Sequence, residues 1–211
     1  MTFDLQILEL VCSRLCHDLI SPVGAVSNGL ELMAEEGDDG LMEDARRLVE
    51  SSSHRASALL QMYRCAYGNA GNQPSFGAGD AAKLAREALD GNRVEFKVDL
   101  PVMASWPTGF GKLLLNGILT VVEWLPRGGT LSLSAAESDG KASFGLTVEG
   151  QQAAYSSEVA RLLALDRTGI ELTAHNIQPY LTGLVAAHNK YRLEVTQPAP
   201  GAAILQGRTA G

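Results

Sequence analysis

The sequence predicts an α+β fold in which an antiparallel helical hairpin is followed by an α/β sandwich, a single sheet covered by helices. Two long segments near the start carry apolar residues at steps of three and four, which is the spacing of amphipathic helices. A stretch rich in glycine, asparagine and proline follows at residues 69–79. Beyond it, short alternating segments are separated by turns and further helical segments. We therefore expect a helical unit over 1–68, a linker over 69–79 and an α/β unit over 80–211.

Composition restricts the classes of function. The chain has 211 residues, of which 45% are hydrophobic, and a formal net charge of −7, as expected for one good-sized or two small packed domains. Lysine and arginine are scattered, so no phosphate-neutralising face for nucleic acid is visible. The start of the chain lacks a basic segment followed by an apolar core, and no run approaches ~18 apolar residues. We expect a cytoplasmic protein without a membrane or nucleic-acid partner.

The first helix is predicted over residues 3–35, ending at the glycine- and aspartate-rich turn 36–40. Pro22 lies inside it and is expected either to kink the helix near His17 or to mark a tolerated bend. Eight apolar residues form one stripe that we expect to be buried: Leu8, Val11, Leu15, Leu19, Val23, Val26, Leu30 and Met33.

The second helix is predicted over residues 41–66, and the short loop before it makes the two helices antiparallel. The first helix also carries a second apolar face formed by Leu10, Cys12, Cys16 and Ile20. A single hairpin cannot cover both faces, whereas two hairpins paired in a four-helix bundle would. The sequence therefore predicts a homodimer.

The α/β unit is predicted from the change of period along the rest of the chain. Pro107 begins a helix, and the turns at 127–129 and 138–140 separate strands. The predicted helices are 80–89, 107–125, 156–165 and 176–189, and the predicted strands are 94–100, 102–106, 130–136, 143–148, 192–196 and 202–205.

His17 is the residue on which we base the functional prediction. At roughly 100° per residue it lies about 200° from both Leu15 and Leu19, so burial of the stripe turns the imidazole outward. Its neighbours on the helix surface include several small residues, so another protein can approach the ring: Ser13, Arg14, Ile20, Ser21 and Gly24. This pattern indicates a docking surface around an exposed histidine.

The segment His17-Asp18-Leu19-Ile20-Ser21-Pro22 resembles the H-box of two-component histidine kinases, and the wider stretch 10–31 resembles the ChpT-type histidine phosphotransferases of alphaproteobacteria. This resemblance implies that the hairpin pairs into a dimeric four-helix bundle. It also implies that the α/β unit is a degenerate histidine-kinase ATPase-like domain of the Bergerat type.

The nucleotide motifs of that ATPase-like domain are incomplete. Residues 112–117 resemble its N-box, but Lys112 stands where an Asn is expected four residues before Asn116. The place of the Asp-x-Gly-x-Gly segment is taken by residues 147–153, and that of the Gly-x-Gly loop by residues 178–183. Without the carboxylate and the glycines that admit phosphates, we expect no ATP binding and no intrinsic cofactor.

The resemblance implies a phosphorelay in which His17 is the phosphoryl-accepting nucleophile. Asp18 would orient the imidazole or accept its proton, and Arg14 would offset phosphoryl charge, although a solvated helix face explains either residue equally well. Ser21 is a supporting residue through local geometry. The receiver domain would dock against Cys16, Ile20 and Gly24.

The partners implied are a CckA-like hybrid kinase, whose receiver domain donates the phosphoryl group, and CtrA-like and CpdR-like response regulators that govern the cell cycle or motility. Each receiver would bring its own aspartate and Mg²⁺, so no metal is expected on this chain. Two alternatives remain open: an active ATP-dependent histidine kinase, and a non-catalytic protein that sequesters receiver domains.

The remaining cysteines and histidines carry weaker predictions. Cys12 and Cys16 are four residues apart on a helix, which allows a metal site, but no further ligand cluster is visible and reduced thiols are expected. His54, His175 and His188 are assigned no catalytic part.

Overall fold

The computed structural model describes residues 4–34, 39–91, 93–101, 106–138 and 141–210. Helix α1 spans Leu5–Ala34 and helix α2 spans Asp39–Ala66, which confirms the two predicted helices. Asp18 contacts Tyr63 while Gly29 lies against Ala45, so the helices run antiparallel. Among the described residues, none of the helices combines the length and apolar character needed to cross a membrane.

The face that α1 buries differs from the predicted stripe. Pro22 and Gly29 are its buried residues, whereas Leu8, Val23 and Leu30 are 45%, 53% and 53% exposed. Gly29 explains why a different face of α1 is turned toward α2, because a Cβ at this position would come within 2.6 Å of Cγ2 of Val49. The prediction that all eight residues of the stripe are buried is therefore wrong for the single chain, because the helices approach most closely at Gly29 and Leu8, Val23 and Leu30 stay exposed.

The α/β unit contains the helices and strands that the sequence pattern predicts, with small shifts at their ends. A 3-10 helix that was not predicted precedes the helix predicted over 80–89, and the helix predicted over 107–125 begins at Phe110 and ends in a 3-10 turn. The predicted strand 102–106 falls mainly on residues outside the described part. The elements are a 3-10 helix at Asn69–Asn72, α3 at Ala78–Leu89, β1 at Val94–Asp99, α4 at Phe110–Val121, a 3-10 helix at Val122–Trp124, β2 at Gly129–Ser138, β3 at Lys141–Glu149, α5 at Ser157–Leu163, α6 at Ile177–His188, β4 at Tyr191–Ala199 and β5 at Ala202–Thr209.

The five strands form one sheet in the order β1-β2-β3-β5-β4. Strand β1 pairs in parallel with β2, because α4 crosses over between them, and the other pairs are antiparallel. One face is buried beneath the helices, as the alternating burial of β3 shows at Phe144, Leu146 and Val148. This is the predicted sheet covered by helices.

The helical hairpin shares the hydrophobic core of the α/β unit. Met62, Cys65 and Ala66 at the end of α2 are buried in the same cluster as residues of α3, α4 and the sheet. Gly71 in the predicted linker is also buried, and an added Cβ there would collide with the carbonyl oxygen of Cys65. The segment 69–79 is thus packed against its neighbours, while the predicted unit boundaries at 68 and 79 stay predictions.

Candidate functional site

His17 lies on α1 where the hairpin meets the α/β unit. Its side chain is 73% exposed, because α1 turns Pro22 and Gly29 toward its neighbours and leaves this face open. The ring borders a cleft of about 300 Å³ that is also lined by Ser21 on α1 and Ile118 on α4. An incoming group can therefore reach the imidazole from solvent.

The acidic neighbour Asp18 is held between two side chains. Its Oδ1 lies 3.1 Å from Nδ1 of His17, and its Oδ2 accepts a 2.5 Å hydrogen bond from the Tyr63 hydroxyl. A carboxylate only accepts hydrogen bonds, so this contact assigns the proton of the neutral imidazole to Nδ1. Nε2 then keeps its lone pair for chemistry.

Arg14 connects the site to the α/β unit. Its guanidinium forms an ion pair with Glu123 in the second 3-10 helix, and its Nε is 3.9 Å from Oδ2 of Asp18. Burial lowers the pKa of Arg14, but the ion pair with Glu123 opposes this effect and the net pKa is raised. Burial raises the pKa of Glu123 while Arg14 opposes the rise. Arg14 is thus ion-paired with Glu123 and lies close to Asp18. Its predicted role of offsetting phosphoryl charge stays a prediction.

Two tyrosines in the last turn and at the end of α2 support this arrangement. Tyr63 is buried and its ring stacks on that of Tyr67 at a centroid distance of 5.3 Å. The Tyr67 hydroxyl donates to Oε1 of Gln178 on α6 at 2.6 Å. Burial raises the pKa of Tyr67 to about 12, and burial followed by the hydrogen bond to Asp18 raises that of Tyr63. Both phenols are therefore neutral donors at physiological pH.

His175 also belongs to this site, although the sequence analysis assigned it no catalytic part. Its ring lies 5.9 Å from that of His17, nearly perpendicular to it. The turn that carries it is fixed by reciprocal hydrogen bonds between Thr173 and Asn176 just before α6. No sequence pattern relates these two distant histidines, because only the packing of α6 against the hairpin brings them together.

The three predicted docking residues form one exposed surface beside His17. Cys16 and Ile20 are exposed, and a Cβ added to Gly24 would meet no atom within 4 Å. Positions 16, 20 and 24 follow one another at steps of four and so share a face of α1. We call Cys16, Ile20 and Gly24 the docking surface; its role stays a prediction.

The remaining histidines and cysteines carry no part of the site beyond the place of Cys16 on the docking surface. All three cysteines are free, with Cys12 and Cys16 exposed and Cys65 buried. Within the described ranges, no three or more His, Cys, Asp or Glu residues are grouped so as to hold a metal ion. His54 is exposed on α2 and His188 is exposed at the end of α6.

Comparison with known proteins identifies the family. Residues 78–201 match the model of the histidine phosphotransferase C-terminal domain. The chain is 38% identical over 192 residues to the protein phosphotransferase ChpT of Brucella abortus (strain 2308), an alignment that covers 90% of each protein. The chain belongs to the ChpT-type histidine phosphotransferase family. A solved bacterial phosphotransferase covers 98% of this ChpT-type chain, and is itself covered to 98%, with a TM-score of 0.84 and 36% identity.

These matches confirm the family expected from the H-box and its helix. As a ChpT-type protein, the chain is a histidine phosphotransferase rather than an ATP-dependent kinase. The predicted fold, a helical hairpin followed by an α/β sandwich, is confirmed as well.

In this ChpT-type chain, the residues at the N-box positions hold the end of α2. The Lys112 ammonium donates to the carbonyl oxygens of Gly68 at 2.9 Å and Tyr67 at 3.4 Å. Asn116 is fully buried and its amide donates to the carbonyl oxygen of Ala66 at 2.7 Å. These carbonyls lie in and just after the last turn of α2, where no partner within the helix is available. Lys112 and Asn116, which stand at the predicted N-box positions, therefore supply hydrogen-bond donors to the free carbonyl groups at the end of α2.

Buried polar side chains of α4 and α6 form hydrogen bonds with each other across the interface between the two helices. Gln178 donates to the carbonyl oxygen of Asn116 at 3.2 Å, and Thr182 donates to the same oxygen at 3.0 Å. The Thr120 and Thr182 hydroxyls are 2.7 Å apart, and all four side chains are buried. The residues that stand where the resemblance places phosphate-binding motifs thus bind one another.

Proposed function

We propose that His17 accepts a phosphoryl group from the receiver-domain aspartate of a hybrid histidine kinase and passes it to the aspartates of response regulators. The observation that carries this proposal is the exposed imidazole whose Nδ1 is held by Asp18. Nε2 attacks the phosphorus, the bond between phosphorus and the aspartyl oxygen breaks, and the carboxylate leaves. Reversal with a second receiver completes the relay.

Asp18 supports both states of this reaction. Phosphorylation of Nε2 leaves the proton on Nδ1 and makes the ring cationic, so the adjacent carboxylate gains an electrostatic role. No proton has to leave the imidazole during transfer. Mg²⁺ belongs to the receiver, since both carboxylate oxygens of Asp18 already have partners in His17 and Tyr63.

The α/β unit serves as a scaffold without nucleotide. The buried network of Asn116, Gln178 and Thr182 and the bonds of Lys112 to the end of α2 support this proposal. A nucleotide bound between α4 and α6 would have to break these hydrogen bonds, each worth about 0.5–1.5 kcal/mol net.

The donor and acceptors we propose are a CckA-like receiver and CtrA-like and CpdR-like regulators of the cell cycle, all in the cytoplasm. Support comes from the ChpT-type family membership.

The protein should acquire label from a phosphorylated receiver and not from ATP. Wild-type protein is incubated with labelled ATP alone, and with labelled ATP plus a hybrid kinase whose own receiver becomes labelled in the same tube. We expect label only in the second mixture, stable in alkali and lost in acid as for phosphohistidine. Labelling by ATP alone would establish a kinase, and an unlabelled chain beside a labelled receiver would favour sequestration.

Ile20→Glu should weaken transfer without unfolding the protein. Ile20 is 70% exposed and lies on the docking surface next to His17, so a charge there costs little in the free protein but opposes an apolar contact. We expect the transfer rate at low receiver concentration to fall about 10-fold, equivalent to about 1.4 kcal/mol. Ile20→Leu is the matched control and should retain transfer; an unchanged rate in Ile20→Glu would refute this docking surface.

Leu30→Glu should convert a homodimer into monomers. Leu5, Leu8, Val23 and Leu30 are all more than 40% exposed along α1, an apolar strip that a second hairpin would cover. Burying a leucine contributes about 1.5–3 kcal/mol, and the change occurs twice per dimer. Light scattering should give the mass of one chain for the variant and of two chains for the wild type and for Leu30→Met. A monomeric wild type at micromolar concentration would contradict the proposed dimer.

A further inference from the structure

Tyr63 occupies a position that the phosphotransfer chemistry described above does not explain. It is 5% exposed, yet its hydroxyl reaches the functional site and donates a 2.5 Å hydrogen bond to Oδ2 of Asp18. The other oxygen of that carboxylate, Oδ1, lies 3.1 Å from Nδ1 of His17. The three side chains thus form a continuous line from the interior of the protein to the exposed nucleophile.

Packing holds the Tyr63 hydroxyl at a fixed point. The ring stacks nearly parallel on Tyr67, with an interplanar angle of 10°, and Met62 beside it is buried in the shared core. Because its ring is packed in this way, the Tyr63 hydroxyl is a hydrogen-bond donor in a fixed position. Such a donor can hold the Asp18 carboxylate in one rotamer.

The orientation of Asp18 decides which nitrogen of His17 is free. When Oδ1 accepts from Nδ1, Nε2 has a lone pair directed to solvent. If the carboxylate rotates away, this preference is lost and the proton can occupy Nε2, the nitrogen that must attack phosphorus. A neutral imidazole with its proton on Nε2 is not a nucleophile at that atom.

We propose that Tyr63 is a positioning residue that fixes the carboxylate of Asp18 and, through it, the Nδ1–H tautomer of His17. This inference deepens the proposed function and rests on it for its consequence in catalysis. It also predicts a connection between the buried end of α2 and the reactivity of a side chain on the surface of α1.

The test is Tyr63→Phe, which removes one oxygen atom and keeps the ring that packs on Tyr67. Long-range ¹H–¹⁵N correlation spectra of histidine-labelled protein at about pH 8.5, where imidazole is neutral, report the tautomer of His17. We expect the wild type to carry its proton on Nδ1 and the variant to shift toward Nε2–H. The transfer rate from a phosphorylated receiver should fall about 10-fold, the lower range for losing a supporting residue of a reactive group.

Tyr67→Phe is the matched control, because it keeps the stacked ring and removes the same atom from a hydroxyl just after the end of α2 that bonds to Gln178 and not to Asp18. We expect it to leave the His17 tautomer unchanged. A wild type with its proton on Nε2, or an unaltered tautomer in Tyr63→Phe, would overturn the proposal even if transfer slowed. If the wild type accepts no phosphoryl group at all, the proposed function fails, while the spectra still decide the role of Tyr63.

Discussion

His17→Ala is expected to abolish phosphoryl transfer in both directions. The substitution removes Nε2, the only atom to which the proposed mechanism attaches the phosphoryl group, and leaves Asp18 and Tyr63 in place. Loss of a nucleophile lowers rates by about 10³-fold or more, so the variant should show no label above background with a phosphorylated receiver. Because the side chain is 73% exposed, the folded state should be unaffected, which urea denaturation can verify.

The matched control is His54→Ala, which removes an exposed histidine from α2 of the same hairpin. It should transfer at the wild-type rate to within about 2-fold. If His17→Ala still binds the receiver, measured by calorimetry, while transfer is lost, docking and chemistry are separated. Retained label in His17→Ala would place the phosphoryl group elsewhere and end the assignment of His17.

Phe110→Ala is expected to produce the largest loss of stability among the single substitutions considered. Phe110 begins α4, is fully buried, and stacks on Trp106 at a centroid distance of 4.8 Å. Its ring also contacts Phe144 on β3 and Tyr191 on β4. Truncation of a buried Phe leaves a cavity and costs about 3–5 kcal/mol, which urea unfolding at fixed protein concentration should measure as a lower midpoint.

Phe110→Leu provides the control, since it keeps most of the apolar volume and should cost clearly less than the alanine variant. At a temperature where it is fully folded, its transfer rate should equal that of the wild type, because Phe110 does not contact His17. A loss below about 1 kcal/mol in Phe110→Ala would contradict the packing described for this end of the sheet.

The sequence predicted what depends on neighbours along the chain. The helical period alone predicted that the His17 side chain points to solvent, and Asp18 is its neighbour in the sequence. The strand pattern and turns likewise predicted the β2–β3 and β4–β5 pairs. These features are local, and periodicity determines them.

What escaped prediction depends on contacts between distant segments. Tyr63 lies within the predicted second helix, and only the register of the hairpin shows that its hydroxyl contacts Asp18. His175 and Glu123 reach the site through the packing of the α/β unit. Periodicity also placed Leu30 on the apolar stripe of α1, but it could not show whether residues of the same chain bury that side chain. The glycines of residues 69–79 contributed to the prediction of a linker, whereas at Gly71 the missing side chain permits close packing against Cys65.

The hydrophobic core that α2 shares with α3, α4 and the sheet makes His17 and its surroundings one preorganised body. In the proposed relay, a receiver would dock against a surface that this packing already holds in place, which would keep the entropy cost of association small. The direction of phosphoryl flow should follow mass action, set by how many donor and acceptor receivers are phosphorylated at a given moment.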